Sequence, residues 1–265
     1  MAELQSLHQL ISLRDKRALI TGAAAGIGRA IARRFAEAGA CLDLVDINGE
    51  SLARAQRELA ELGTAVETHL VDLSQKDEID NLWATFNGNT PDILINNAGV
   101  YAFKHFLDVD EAFYHQVMDT NLSSVYWMCQ HLIKARQKRG GIIVNVGSIE
   151  AILPFKEDLA HYSVSKAGVI ALTRALAKEH ARHGFRVNAI WPGGIITEGT
   201  KAAAKQIMQF KFDLLVTGVD FARRLPAGRP GQPDEVARMA LVLASDLASY
   251  VHGAVIPIDG GFLSA

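Results

Sequence analysis

The sequence predicts an α/β fold, one doubly wound domain on a seven-stranded parallel sheet. Three observations predict it. Short apolar runs alternate with longer segments of 3.6-residue periodicity, the pattern of strands joined by crossover helices. Runs such as 142–146 are apolar almost throughout instead of alternating, as expected where helices cover both faces of a sheet. No Pro/Gly/Ser-rich linker and no internal repeat divides the 265 residues, a length that one α/β domain can reach. The domain is expected over 13–265, after an N-terminal extension at 1–12.

In chain order, Leu4, Leu7, Leu10 and Ile11 recur at helical spacing and predict a short helix laid on the domain or on a neighbouring subunit. Strands are expected at 18–20, 41–45, 65–71, 93–96, 142–146, 187–191 and 255–258. Between them, Ile27, Ile31 and Phe35 form one helical stripe and Leu52, Leu59 and Leu62 another. Ile79, Leu82, Trp83 and Phe86 form a third, opened by Ser74 with Asp77 three residues on, a capping-box-like start. The segments 111–138 and 162–183 read as longer helices.

Composition bounds the function. Lys and Arg total 27 against 29 Asp and Glu, a net charge of −2 without long like-charge runs, so neither nucleic acid nor an anionic membrane is an expected partner. No run approaches 18 apolar residues, and 1–14 lacks the features of a secretory signal. Cys41 and Cys129 are too few for a disulfide framework, are both expected as small buried residues, and favour a reducing cytoplasm. His180 and His183 lack a third ligand at metal spacing, so they are expected in solvent and no metal site is expected.

The chemistry begins at the first βα turn, Thr21-Gly22-Ala23-Ala24-Ala25-Gly26-Ile27-Gly28. Glycine is needed where a chain turns tightly and lets a pyrophosphate approach the N–H groups of a helix N-terminus, so this strand–turn–helix reads as a Rossmann-type dinucleotide site. Asp46, ending the second strand, can accept both ribose hydroxyl hydrogens and would repel the 2′-phosphate of NADP, while Ala25 offers no cation to neutralise that phosphate. NAD is the expected cofactor. Asp72 and Leu73 end the third strand, where an acid can meet the adenine edge.

Tyr162 and Lys166 lie four residues apart on one helical face, where an ammonium can stabilise a phenolate and make the tyrosine a general acid/base. Ser148 closes an apolar strand at the same sheet edge and can hydrogen-bond the reacting oxygen, and Asn121 is a polar residue within an otherwise apolar helix. In this order, with Asn96-Asn97-Ala98-Gly99, Pro192-Gly-Gly-Ile-Ile-Thr197 and Asp259-Gly-Gly261, the chain resembles the short-chain dehydrogenase/reductase family from about residue 13 to 262. The resemblance implies that Tyr162 exchanges the substrate proton, Lys166 also binds the nicotinamide ribose, Ser148 orients the substrate oxygen and Asn121 supports a water relay. It also implies that Ile195 and Thr197 hold the nicotinamide carboxamide, that Asn97 contacts the cofactor, and that the protein is a homotetramer or homodimer through the helices at 111–138 and 162–183. In the second of these, Ala167, Val169, Ala171, Leu172 and Ala175 are the apolar candidates for contact.

From Ser148 to Tyr162 the chain is one residue longer than is usual in the family. The polar loop between them, with Glu150, Lys156, Glu157 and His161, looks like that of sugar dehydrogenases, and Glu150 and His161 are the candidate substrate residues. The segment 198–224, with Lys201, Lys205 and Lys211, is expected to be a substrate lid within about 198–226. The expected activity is NAD-dependent interconversion of a secondary alcohol and a ketone or lactone, the sugar and polyol class included. A 3-oxoacyl thioester reductase and a non-catalytic NAD-sensing protein are the alternatives.

Overall fold

The computed structural model describes residues 4–198 and 224–265. Along the chain come α1 (Leu7–Ile11), β1 (Arg17–Thr21), α2 (Gly26–Glu37), β2 (Cys41–Asp46), α3 (Gly49–Ala60), β3 (Val66–Leu70), α4 (Lys76–Thr85) and β4 (Ile93–Asn96). Then follow α5 (Glu111–Met118), α6 (Ser124–Arg136), β5 (Gly141–Val146), α7 (Ala160–His180), β6 (Phe185–Pro192), α8 (Pro233–Ala244) and β7 (Val255–Ile258). Among the described residues seven strands form one sheet in the order β3-β2-β1-β4-β5-β6-β7, every neighbouring pair parallel. This doubly wound Rossmann-type α/β fold is the one the sequence predicts, and each expected strand is present.

The order reverses between β1 and β4, which opens a crevice at the carboxyl ends of the strands. On one face, Ile31 and Phe35 of α2, Leu52 and Leu59 of α3 and Val236 and Ala240 of α8 pack on Ile20, Leu44 and Ile95. On the other, Ile79, Leu82 and Trp83 of α4, Met128 and Leu132 of α6 and Val169 of α7 pack on Leu19, Leu94 and Ile143. Successive strand residues alternate between these two cores, which is why the runs are apolar throughout.

Several expectations are corrected. The segment 111–138 is not one helix: a π-turn over Asp119–Ser123 separates α5 from α6 and carries buried Asn121. Ser74 does not cap α4, which begins at Lys76; its N–H and hydroxyl both donate to Asp72 Oδ1, at 2.9 and 2.7 Å. Cys129 is buried, but Cys41 is exposed because it opens β2 at the amino edge of the sheet. Val169 faces the core and Leu172 packs partly against it, so neither belongs to an outward face. α1 forms with Leu4 and Leu7 exposed. The expected lid, with Lys201, Lys205 and Lys211, falls almost wholly on 199–223, outside the described residues.

Among the described residues, no helix is long and apolar enough to cross a membrane.

Candidate functional site

Thr21 ends β1 and the chain turns through Gly22 and Gly26, at φ +61° and +55°, a region that only glycine adopts without strain. A Cβ on Gly28 would fall 2.1 Å from the Gly22 carbonyl oxygen, so the start of α2 can seat against the turn only with glycine there. Gly28 therefore acts by packing and does not line the cleft. The Asn97 side-chain amide donates to the carbonyls of Thr21 and Gly22, both at 3.0 Å, and the Thr21 hydroxyl accepts the N–H groups of Asn97 and Ala98. Asn97 thus braces the turn and still lines the cleft. Among the described residues no side chain caps the N-terminus of α2, where Ala25 is the capping residue, so its N–H groups suit an anionic pyrophosphate.

Beside this turn is a cavity of about 390 Å³ lined by Gly22, Ala25, Gly26, Asp46, Asp72 and Leu73, among others. Asp46 is anchored by the N–H groups of Ala24 and Asn48, each at 3.0 Å from a different carboxylate oxygen. Ile47, exposed, extends the cavity wall, and no Lys or Arg lines it among the described residues. The glycine turn, the uncapped helix and the aspartate at the cavity rim fit a dinucleotide.

A second cavity, of about 460 Å³, holds Ser148, Tyr162 and Lys166. Asn97, Gly99, Val100 and Thr197 line both cavities, so the two are halves of one cleft. Thr197 stands opposite the glycine turn, 3.4 Å from where a Cβ on Gly26 would lie, and Ile27 and Ile195 wall the second half.

Burial pushes the Tyr162 phenol up to about 12; a hydrogen bond with Ser148 pulls it back and the nearby Glu150 charge adds to the rise. Burial also brings Lys166 down to about 8. Its ammonium donates to the Val146 carbonyl at 3.0 Å and lies 5.9 Å from the centre of the Tyr162 ring. Burial thus works against the lowered phenol expected from the Tyr-Lys spacing.

Asn121 is fully buried and clamps the strand-to-loop connection after β4: its Oδ1 accepts Val100 N–H at 2.7 Å and its Nδ2 donates to Val100 O at 3.0 Å. A Cβ on Gly99 would sit 3.1 Å from Asn121 Oδ1 and 3.4 Å from Lys166 Nζ, so the three groups meet at one point of the cleft wall.

The loop residues divide. Glu150 lines the second half of the cleft, and burial brings it up to about 7 despite the Phe155 N–H and the Lys156 charge that oppose the rise. His161 does not line it. Its Nε2 bonds the Ala102 carbonyl at 2.8 Å and its ring packs edge-on to Phe113, so it supports the wall from behind. Glu157 is exposed. Tyr101, which sequence reasoning missed, packs edge-on to Tyr162 with ring centres 4.9 Å apart; its place two residues after Asn96-Asn97-Ala98-Gly99 was the available signal. Asp43, Glu67 and His69 cluster, but the Arg17 guanidinium occupies that cluster, 2.5 Å from Asp43 and 2.8 Å from Glu67, and repels a metal. His180 and His183 pack ring to ring without a metal-ligating cluster among the described residues.

Comparison with known proteins agrees with this geometry. The family model described as enoyl-(acyl carrier protein) reductase matches residues 22–263. The chain is 37% identical to a 3-oxoacyl-(acyl-carrier-protein) reductase of Chlamydia trachomatis, over 93% of this chain and 97% of that one. It is 39% identical to galactitol 2-dehydrogenase of Cereibacter sphaeroides, over 92% and 94%. A gluconate 5-dehydrogenase of Burkholderia cenocepacia in complex with NADP and tartrate superposes with a TM-score of 0.88 at 30% identity, covering 98% of this chain and 100% of that one. A 7α-hydroxysteroid dehydrogenase complexed with NADH and a 7-oxo bile acid superposes with a TM-score of 0.87 at 31% identity, over 97% and 98%. The two solved structures, one with NADP and one with NADH, share this fold, the relatives are named for different substrates, and the chain belongs to the short-chain dehydrogenase/reductase family.

Proposed function

We propose that the protein is an NAD-dependent oxidoreductase that interconverts a secondary alcohol with a ketone or lactone, acting on the sugar and polyol class. The observation that carries this reading is the single cleft with Asp46 at one end and Ser148, Tyr162 and Lys166 at the other. Asp46 is the ribose-binding acid, held by two backbone amides, with no cation among the described residues lining its cavity to offset a 2′-phosphate. When bound, the nicotinamide supplies the hydride acceptor or donor. The residues do the rest. The Ser148 hydroxyl bonds the reacting oxygen, Tyr162 takes its proton during oxidation and returns it during reduction, and Lys166 supplies positive charge near the phenolate. Asn121 holds Val100, and with it the wall against which substrate and cofactor meet; the expected water relay through Asn121 is part of this reading.

The test compares kcat/KM for NAD and NADP. NAD is expected to be preferred by about 10²-fold or more, and equal values or a preference for NADP would overturn the role of Asp46. The second reading, a 3-oxoacyl thioester reductase, is favoured by the Chlamydia relative's name. Glu150 and Lys156 in the substrate half disfavour it, since an apolar acyl chain would leave both unmatched. Turnover of a 3-oxoacyl thioester with NADPH above that of any polyol with NAD would establish it instead.

The same proposal includes a homotetramer or homodimer. Tyr126 of α6 and Val164 of α7 are half exposed, and Val164, Ala167, Ala171 and Ala175 form one exposed stripe along α7. It also places the protein in the cytoplasm, in keeping with two free cysteines.

A further inference from the structure

We infer that Lys156 and Glu150 form a subsite that selects a polyhydroxylated carboxylate over the matching uncharged polyol. This rests on the alcohol–ketone reading above and names the part of the substrate remote from the reacting carbon.

Glu150 is 2% exposed, yet only one of its carboxylate oxygens is engaged, accepting the Phe155 N–H at 3.3 Å. The other, Oε1, is buried without a partner in a side chain that lines the cavity. An unmatched buried carboxylate oxygen is costly, and a ligand hydroxyl donating to it removes the cost. Lys156 lines the same cavity with its ammonium 5.5, 5.8 and 5.6 Å from the ring centres of Tyr101, Phe103 and Phe155. Three rings hold the cation by their π faces, while among the described residues no carboxylate lies within salt-bridge distance to use its N–H donors. Burial lowers its affinity for a proton, with Glu150 opposing, and an incoming anion adds to that opposition.

The placement fits a substrate that reaches past Tyr162. Tyr101 touches both Tyr162 and the Lys156 ammonium, so one ring separates the reacting end from the cationic end. Lys166, the other cation lining this half, is already bonded to the Val146 carbonyl. The two groups divide the ligand: the Lys156 ammonium can pair with one carboxylate, while the Glu150 Oε1 takes a hydroxyl hydrogen; a phosphate dianion calls for more donors, commonly an arginine fork, and none lines this half among the described residues.

The test uses six-carbon aldonates, each paired with its own alditol, and one alditol phosphate. Binding to the NADH-saturated protein is measured by calorimetry and turnover with NAD by absorbance. The best aldonate is expected to bind at least about tenfold more tightly than its alditol, with the advantage shrinking as ionic strength rises. Lys156→Met should erase this ratio, Lys156→Arg should keep most of it, and Glu157→Gln, on the exposed part of the loop, should leave it unchanged. Equal binding of aldonate and alditol to the unmodified protein, a salt-independent ratio, or an unchanged ratio in folded Lys156→Met would overturn the subsite; stronger binding of the phosphate would overturn its carboxylate specificity. Selective aldonate binding without turnover of any alcohol would keep the subsite and overturn the alcohol–ketone reading. Equal turnover of acids and polyols would do the reverse.

Discussion

Tyr162 is the residue on which the proposed chemistry turns, and replacing it tests that chemistry directly. Tyr162→Phe keeps the ring against Tyr101 but removes the exchangeable proton, so turnover should fall by at least about 10²-fold while NADH binding, followed by fluorescence, persists. Near-normal turnover would remove Tyr162 from the mechanism. The pH profile carries a second test. In the proposed mechanism alcohol oxidation needs the phenolate, and burial pushes the phenol up to about 12, so kcat/KM for oxidation should climb as pH rises. The charge on Glu150 contributes to that elevation; Glu150→Gln removes it, and the alkaline limb should move to lower pH. A limb that stays in place would show that burial alone sets the phenol. Lys166→Ala should lower turnover, read by absorbance, and weaken NAD binding together if, as the resemblance implies, one ammonium serves both.

At the scale of elements, Asp43 is the pin across the first three strands. From β2 it meets Arg17 of β1 at 2.5 Å and His69 of β3 at 2.9 Å, and it is fully buried. Burial alone would raise its carboxyl, but the hydrogen bonds from His69 and Arg17 prevail and hold it below its ordinary 3.8. Its contribution is therefore complete above about pH 4 and is lost as pH falls through the lower folded value. Asp43→Asn should cost about 3 kcal/mol at pH 7, less in strong acid, as read by urea unfolding at both pH values. Equal losses at both would contradict the ionic account. The elements that the sequence made legible are those whose signal is local. The strands were marked by unbroken apolar runs, the glycine turn by its place between strand and helix, and Tyr162 with Lys166 by their helical spacing. What was not legible depends on partners distant in sequence. The π-turn around Asn121 exists because that amide meets Val100, which no 3.6-residue pattern encodes. His161 looked like a pocket residue because it is polar and near Tyr162, but Ala102 and Phe113 turn it away. The direction of the Tyr162 shift depended on burial, which spacing alone does not measure.

For the whole molecule, the exposed stripe on α7 gives the proposed assembly a measurable signature. Light scattering at micromolar concentration should show a dimer or tetramer, and Ala171→Glu, placed mid-stripe, should shift it toward monomer without unfolding the sheet. A monomeric parent protein would contradict the assembly. The π-turn has a different reach. It carries one residue more than an α-turn, and the helices it joins are unequally anchored: α5 buries only Val117, while α6 buries Val125, Met128, Cys129 and Leu132 against the sheet. Removing one residue from Asp119–Ser123 would rotate the less buried helix, α5, by about 100°, break the packing of Phe113 on His161 and leave α6 in place. The shortened chain should melt close to the parent while Val100 loses its clamp and turnover collapses. Length at this one point then separates two properties of this chain: a single-residue deletion there should leave a folded protein that has retired from catalysis.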